Sequence, residues 1–363
     1  MRFLTGLAVA AIASASLASA LSPARAQEVT AVTGAGSTFA FPMLFKWAKG
    51  YQRWQSGGGA FPAANTGLED SPTGPALDYE PIGSLAGMMR VKDSAVDFGA
   101  SDVPLKSEEL AKLGLGQFPI VIGGIVAAIN LDGVGPGEIR FTGAALADIF
   151  LGKVQKWNDP VIQTLNPGFK LPDAQIVVVR RSDGSGTTYN FTNYLAKVSP
   201  EWKTKVGSDL QVPWPVGTAA KGNDGVAQAV RQTKNSIGYV EFAQAVQSKL
   251  SYASIQNKAG QFVKPDTRSF QAAAASGDWK AGTDFDLLLT DAPGENAYPV
   301  VATVFVLMHK STSPRRMKAA LNFFQWSLDS GAADASQLGY VPLPEALVTQ
   351  IKGYWTQKFK PAS

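Results

Sequence analysis

The chain has 363 residues, more than one hydrophobic core usually holds, so two lobes are expected. Its composition, 45% hydrophobic and 17% charged, excludes a disordered chain. A net charge of +4 spread along the length makes no nucleic-acid groove, and zero cysteines exclude disulfides, thiolate metal sites and an acylated cysteine anchor.

Met1-Arg2 precedes an apolar, alanine-rich run from Leu4 to Ala20, and Ala24-Arg25-Ala26 fits a small-x-small cleavage site. Residues 1–26 therefore read as a signal peptide removed after Ala26, and the missing basic stop argues against a membrane anchor. Glu28 to Thr33 alternates as a strand, Gly34-Ala35-Gly36-Ser37-Thr38 turns, and Phe39 to Trp54 follows as a helix with Pro42 in its first turn. Gln55 to Asp78 has no period and reads as a long surface loop or insertion. Tyr79 to Ser84 is a short strand ending in another glycine-hydroxyl turn, Ile82-Gly83-Ser84, before a helix from Leu85 to Val91. Ala95 to Asp102 is an apolar strand that ends in an acid, and Ser107 with Glu108 and Glu109 opens the next helix.

Phe118 to Asn130 and Tyr298 to Met308 are long apolar runs, read as strands buried on both faces. They are expected to be two hinge crossovers between a first lobe of residues 27–118 plus 298–363 and a second of residues 119–297; the alternative is two central strands of one large sheet. In the second lobe, Thr142 to Leu151 reads as a helix, Lys156 to Pro160 as a turn and Ile176 to Arg181 as a strand. Gly222-Asn223-Asp224-Gly225 opens a helix through Gln232, and Ser236 to Val240 is a strand. Arg315 to Leu328 and Pro344 to Lys358 close the chain as amphipathic helices, with a short strand near Tyr340. Strands alternating with helices give an α/β class, and no internal repeat stands out.

The stretch Val177 to Tyr189 carries a β-branched run into Arg180-Arg181-Ser182-Asp183-Gly184-Ser185-Gly186-Thr187-Thr188 and then into a helix. Unpaired N–H groups at that helix start favour an anion, Arg181 offers a planar fork, and Asp183 can hold the fork in place. Gly-Ser-Gly-Thr alone would describe an ordinary capped turn equally well, and a nucleotide-binding P-loop would need a lysine where Gly186 stands. Together with Thr38, Ser84 and Asp102, the segment makes four places where ligand-type groups end a strand. An acid aimed at an anion repels it unless the ligand brings a proton, so Asp102 would keep a protonated oxyanion and reject a fully deprotonated one. Phosphate keeps a proton at neutral pH; sulfate does not. His309 is the only histidine and reads as structural, and no paired-histidine or cysteine pattern points to a metal.

The motifs Gly34-Ala35-Gly36-Ser37-Thr38-Phe39, Asp97-Phe98-Gly99-Ala100-Ser101-Asp102, Gln117-Phe118-Pro119, Asn158-Asp159, Arg180 to Thr187, Gly222 to Gly225 and Ile237-Gly238-Tyr239-Val240 stand in one order along the chain. In that order they resemble the PstS family of periplasmic phosphate-binding proteins, the substrate-binding components of phosphate ABC importers. The resemblance implies a two-lobed, type II-like periplasmic binding protein, each lobe a mixed sheet flanked by helices, closing on one dehydrated phosphate. It implies phosphate contacts from the Thr38 hydroxyl, the Phe39 N–H, Ser84, the proton-accepting Asp102, Arg181, Ser185, Gly186 and Thr187, with Asp183 orienting Arg181. It further implies a monomer, no cofactor, no catalysis, and ABC permease membrane subunits as partners. This chain departs from the family where Leu85-Ala86-Gly87 follows Gly83-Ser84, a less polar helix start than Gly-Ser-Ser-Gly-Gly. Two other readings fit the same residues: a secreted phosphomonoesterase with Ser185 or Thr187 as nucleophile, and an extracellular interaction protein using Gln55 to Asp78.

Overall fold

Sixteen consecutive residues, Leu115–Asn130, form one strand whose every position except Asn130 is buried, which is why its sequence runs apolar without alternation. The computed structural model describes residues 31–59 and 76–361. The expected signal peptide and most of the Gln55–Asp78 stretch lie outside them; within them, the first helix, Phe41–Ser56, and the strand Leu77–Glu80 reach further into that stretch than the sequence indicated.

The main sheet runs, edge to edge, Leu77–Glu80, Val32–Gly36, Phe98–Ser101, Val301–His309, Leu115–Asn130, Ser236–Glu241, Val177–Arg181 and Thr218–Ala220, with Ser251–Tyr252 added to Leu115–Asn130. Both apolar runs are thus central strands of a single hydrogen-bonded path. The long strand changes partner along its length: Leu115 to Gly124 pair with Val301–His309, and Ile125 to Asn130 pair with Ser236–Glu241.

Each half repeats the same motif. Val32–Gly36 lies between its parallel neighbours Leu77–Glu80 and Phe98–Ser101, and Val177–Arg181 lies between Thr218–Ala220 and Ser236–Glu241, also parallel. In both, the first strand of the unit is central and the strand order reverses around it, a geometry that opens a crevice at the strand C-termini. Pairing senses orient the two units. Phe98–Ser101 is antiparallel to Val301–His309, which is antiparallel to Leu115–Asn130, so the first unit points along the long strand. Ser236–Glu241 is antiparallel to Leu115–Asn130, so the second unit points back. The C-terminal ends of six strands therefore face one another at the middle of the molecule.

Helices fill in as local rules direct. Thr142 caps Gly143–Phe150, Asp159 caps Pro160–Gln163 and Asp266 caps Thr267–Ala274. Ser107 is not a cap: it lies inside Ser107–Leu113, and its hydroxyl donates to Asp284 Oδ2 at 2.5 Å. The strand expected near Tyr340 reduces to a single bridge between Ile122 and Val341, and a helix, Ala332–Gln337, precedes it.

Candidate functional site

The turn after Val32–Gly36 supplies the first groups. Ser37 is buried, receives the Ala40 N–H on its hydroxyl and donates the hydroxyl hydrogen to Asp102 Oδ1. Thr38, partly exposed, accepts on Oγ1 from the Asn223 N–H at 3.2 Å and from Asn223 Nδ2 at 2.9 Å. Phe39 is fully buried, and its carbonyl accepts the Tyr340 hydroxyl at 2.7 Å. A groove of about 660 Å³, walled by Phe41, Phe45, Lys46, Lys49 and Val246, opens beside Thr38.

Ser84 begins the helix Ser84–Lys92 after Gly83, whose φ of 96° suits glycine; a Cβ there would sit 2.6 Å from Asp183 Oδ2. The Ser84 hydroxyl accepts from the N–H groups of Gly186 at 3.1 Å and Asp102 at 3.3 Å, and the Leu85 N–H donates to the Gly184 carbonyl at 3.1 Å. The apolar Leu85 thus contributes its backbone N–H across the halves, while its side chain packs over Gly184.

Val177–Arg181 delivers Arg181 with 3% of its surface exposed. Its guanidinium forks onto Asp183, Nε to Oδ1 at 2.7 Å and Nη2 to Oδ2 at 2.5 Å, while Nη1 reaches Thr187 Oγ1 at 3.4 Å. Burial works against the Asp183 charge, but the Arg181 bonds and charge and the Gly222 N–H at 3.0 Å win, leaving its carboxyl below the usual range. Behind the cation, Tyr239 accepts the Arg181 N–H at 3.1 Å and shares a hydrogen bond with Thr188 at 2.7 Å; its ring stacks on Phe191 and Trp214, with centroids 4.5 and 5.5 Å away.

Ser185 caps the helix Gly186–Val198 by accepting the Thr188 N–H at 3.1 Å. Gly186 packs so closely that a Cβ would fall 2.6 Å from both Asp102 Cβ and Ser84 Oγ. Thr187 is fully buried and donates to Asp102 Oδ2 at 3.4 Å.

Asp102 stands at the centre of these contacts, 2% exposed, with hydroxyls of both halves on its two oxygens and Asn190 Nδ2 on its carbonyl at 2.7 Å. Burial pushes its carboxyl up from 3.8 to about 6, despite the opposing pull of Ser37, Arg181 and Thr187. Glu241, at the equivalent strand end of the second half, is pushed up to about 8, again by burial, although Ala243 and Gln244 donate their N–H groups to it and Tyr340 bonds it.

Thr38, Ser84, Asp102, Arg181, Gly186 and Thr187 are therefore tied together by hydrogen bonds across the two halves, directly or through Asn223. Phe39 and Ser185 adjoin them in the chain, the Phe39 carbonyl turned to Tyr340 and the Ser185 hydroxyl to the helix start. The sequence reading missed Ser37, Asn190 and Asn223 as members of the cluster. Asn223 was visible only as part of a helix-opening Gly222-Asn223-Asp224-Gly225. Chemically, the arrangement is a dry nest of hydroxyls, N–H groups and one guanidinium with a single carboxyl inside, suited to an oxyanion that carries a proton. Among the described residues no group of three or more acidic or histidine side chains is placed to hold a metal ion. His309 lies at the far end of its strand, its Nε2 2.7 Å from the Val91 carbonyl.

Residues 21–330 match the PBP superfamily domain. The chain is 50% identical over 330 residues to a phosphate-binding protein PstS of Xylella fastidiosa (strain 9a5c), covering 91% of this chain and 86% of that protein. A phosphate-binding protein PstS of Pasteurella multocida is 46% identical over 330 residues, 91% of each chain. Among solved structures, a high affinity periplasmic phosphate-binding protein (PfluDING) bound with phosphate superposes with a TM-score of 0.65 at 18% identity, covering 89% of this chain and 93% of that one. A phosphate binding protein from Stenotrophomonas maltophilia gives 0.62 at 17% identity over 89% and 93%. At these identities the structures speak for the fold.

Proposed function

Because this chain belongs to the PBP superfamily and, within it, to the phosphate-binding proteins PstS, we propose that it captures inorganic phosphate in the periplasm and passes it to the membrane subunits of an ABC-type import permease. The observation that carries the reading is the meeting of Asp102 with Thr187 and Arg181 from the opposite half, in a nest closed to water. Thr38, Ser84, Ser185 and Thr187 supply hydroxyls, Phe39 and Gly186 supply N–H groups, and Arg181, aligned by Asp183, supplies the cation. Asp102 accepts the proton that phosphate retains. A sulfate ion offers no proton, so the same carboxylate repels it by several kcal/mol.

Residues 27–118 with 298–363, and 119–297, act as the two lobes. The partner change of the long strand between Gly124 and Ile125 supports a bend there, a few residues from that division. Closure joins the lobes around the ion, and the permease releases it by favouring the open form. No bond is made or broken: the Ser185 hydroxyl is engaged as a helix cap, and the sole histidine is remote from it. The exported protein, freed of residues 1–26, works as a monomer.

Titration calorimetry on the mature protein tests the reading. Saturable, one-to-one phosphate binding unaffected by a large excess of sulfate is expected, and equal competition by sulfate would overturn it.

A further inference from the structure

Asn223 is not among the residues expected to contact the ligand, yet it is 1% exposed and reaches hydroxyls of both halves. The orientation of its amide is set by a group that can only donate: the Glu241 backbone N–H lies 3.0 Å from Asn223 Oδ1. The Nδ2 side must then face Thr38 and Thr187, at 2.9 and 3.2 Å. A hydroxyl has two lone pairs and one hydrogen. On Thr38 both lone pairs are engaged by Asn223, through Nδ2 and through its backbone N–H at 3.2 Å. On Thr187 they are engaged by Asn223 and by Arg181 Nη1 at 3.4 Å, and the hydrogen points to Asp102. Neither hydroxyl has acceptor capacity left.

The geometry points to Asn223 as a positioning residue that saturates the lone pairs of Thr38 and, with Arg181, those of Thr187, so that a captured phosphate meets the Thr38 hydrogen and not its lone pairs. This rests on the phosphate reading of the site. It also explains how a nest with one guanidinium, already paired to Asp183, presents donors on all sides: the chain Glu241 N–H, Asn223 amide, threonine hydroxyl transmits polarity from a strand backbone to the ligand.

A double-mutant cycle tests it, read as the phosphate dissociation constant by calorimetry. Asn223→Asp keeps the size and the bridge to Thr38, but its carboxylate only accepts, turning the Thr38 hydrogen away from the ligand. Its added charge weakens phosphate binding in any background, and that cost, together with any change at Thr187, is measured in Thr38→Val. We expect Asn223→Asp to cost about tenfold more affinity with Thr38 present than in the Thr38→Val background. Equal or smaller cost with Thr38 present would show that the bridge merely latches the halves and would overturn the inference. Should Asn223→Asp not fold, as judged by thermal unfolding without ligand, Asn223→Ala in the same cycle decides: its loss is expected to shrink in Thr38→Val and overturns the proposal if it does not. Absence of phosphate binding by the unsubstituted protein would instead sink the phosphate reading itself.

Discussion

The two halves of the sheet end their third strands in an acid, Asp102 in one and Glu241 in the other, and both carboxyls are buried and raised by burial. Their surroundings differ in one respect. Glu241 is consumed by structure: its oxygens receive the N–H groups of Ala243 and Gln244, capping the short helix Phe242–Gln247. Asp102 is met instead by the side-chain hydroxyls of Ser37 and Thr187, one from each half. One topology therefore produces a cap where the chain turns directly into a helix and, where the acid faces the opposite unit, the carboxyl proposed above as proton acceptor. The cation is equally one-sided: the second half holds Arg181, and its counterpart turn in the first half holds Ser37 and Thr38.

The asymmetry is broken most severely by Arg181→Ala, which removes the cation and leaves the half-buried Asp183 carboxylate without its ion-pair partner. A cost of about 3–5 kcal/mol is expected, abolishing phosphate binding at micromolar protein in calorimetry and lowering the thermal midpoint. Asp102→Asn comes next. It should let sulfate compete with phosphate at pH 7, narrowing the preference by about two orders of magnitude; unchanged discrimination in a competition titration would contradict the role given to this acid. In the unsubstituted protein the same effect is expected from acid, because a neutral Asp102 can donate: sulfate competition should emerge as pH falls through about 6 and vanish above it.

The smallest effect belongs to Glu241→Gln, which should leave anion preference intact while altering the pH dependence of stability. A carboxyl raised from 4.5 to about 8 on folding gives stability present below pH 4.5 and lost as pH rises through 8. The variant should therefore unfold at a higher temperature than the parent above pH 8. Thermal melts at pH 5 and 9 compare the two, and a loss of sulfate exclusion in this variant would erase the distinction between the acids.

Much of this was legible in the sequence because it is local. A β-branched run, then glycine and hydroxyl, then a helical period marks the ends of Val32–Gly36 and Val177–Arg181, and Asp102 follows its strand directly. The duplicated strand order was not legible, since the halves share topology without sharing a spaced motif. Asn223 was hidden for a related reason: its partners Thr38 and Glu241 lie 185 and 18 residues away, and no periodicity encodes a contact made by a sheet. The two- and three-residue strands Arg140–Phe141, Ser254–Gln256 and Phe262–Val263 are too short to impose an alternation at all.

Tyr239 links the guanidinium's strand to an indole: its oxygen meets the Arg181 N–H, and its ring lies against Trp214. Any shift of that strand alters the environment of a fluorophore already built into the chain. Should capture of the proposed phosphate shift that strand, Trp214 emission would report it in real time, without a dye or label.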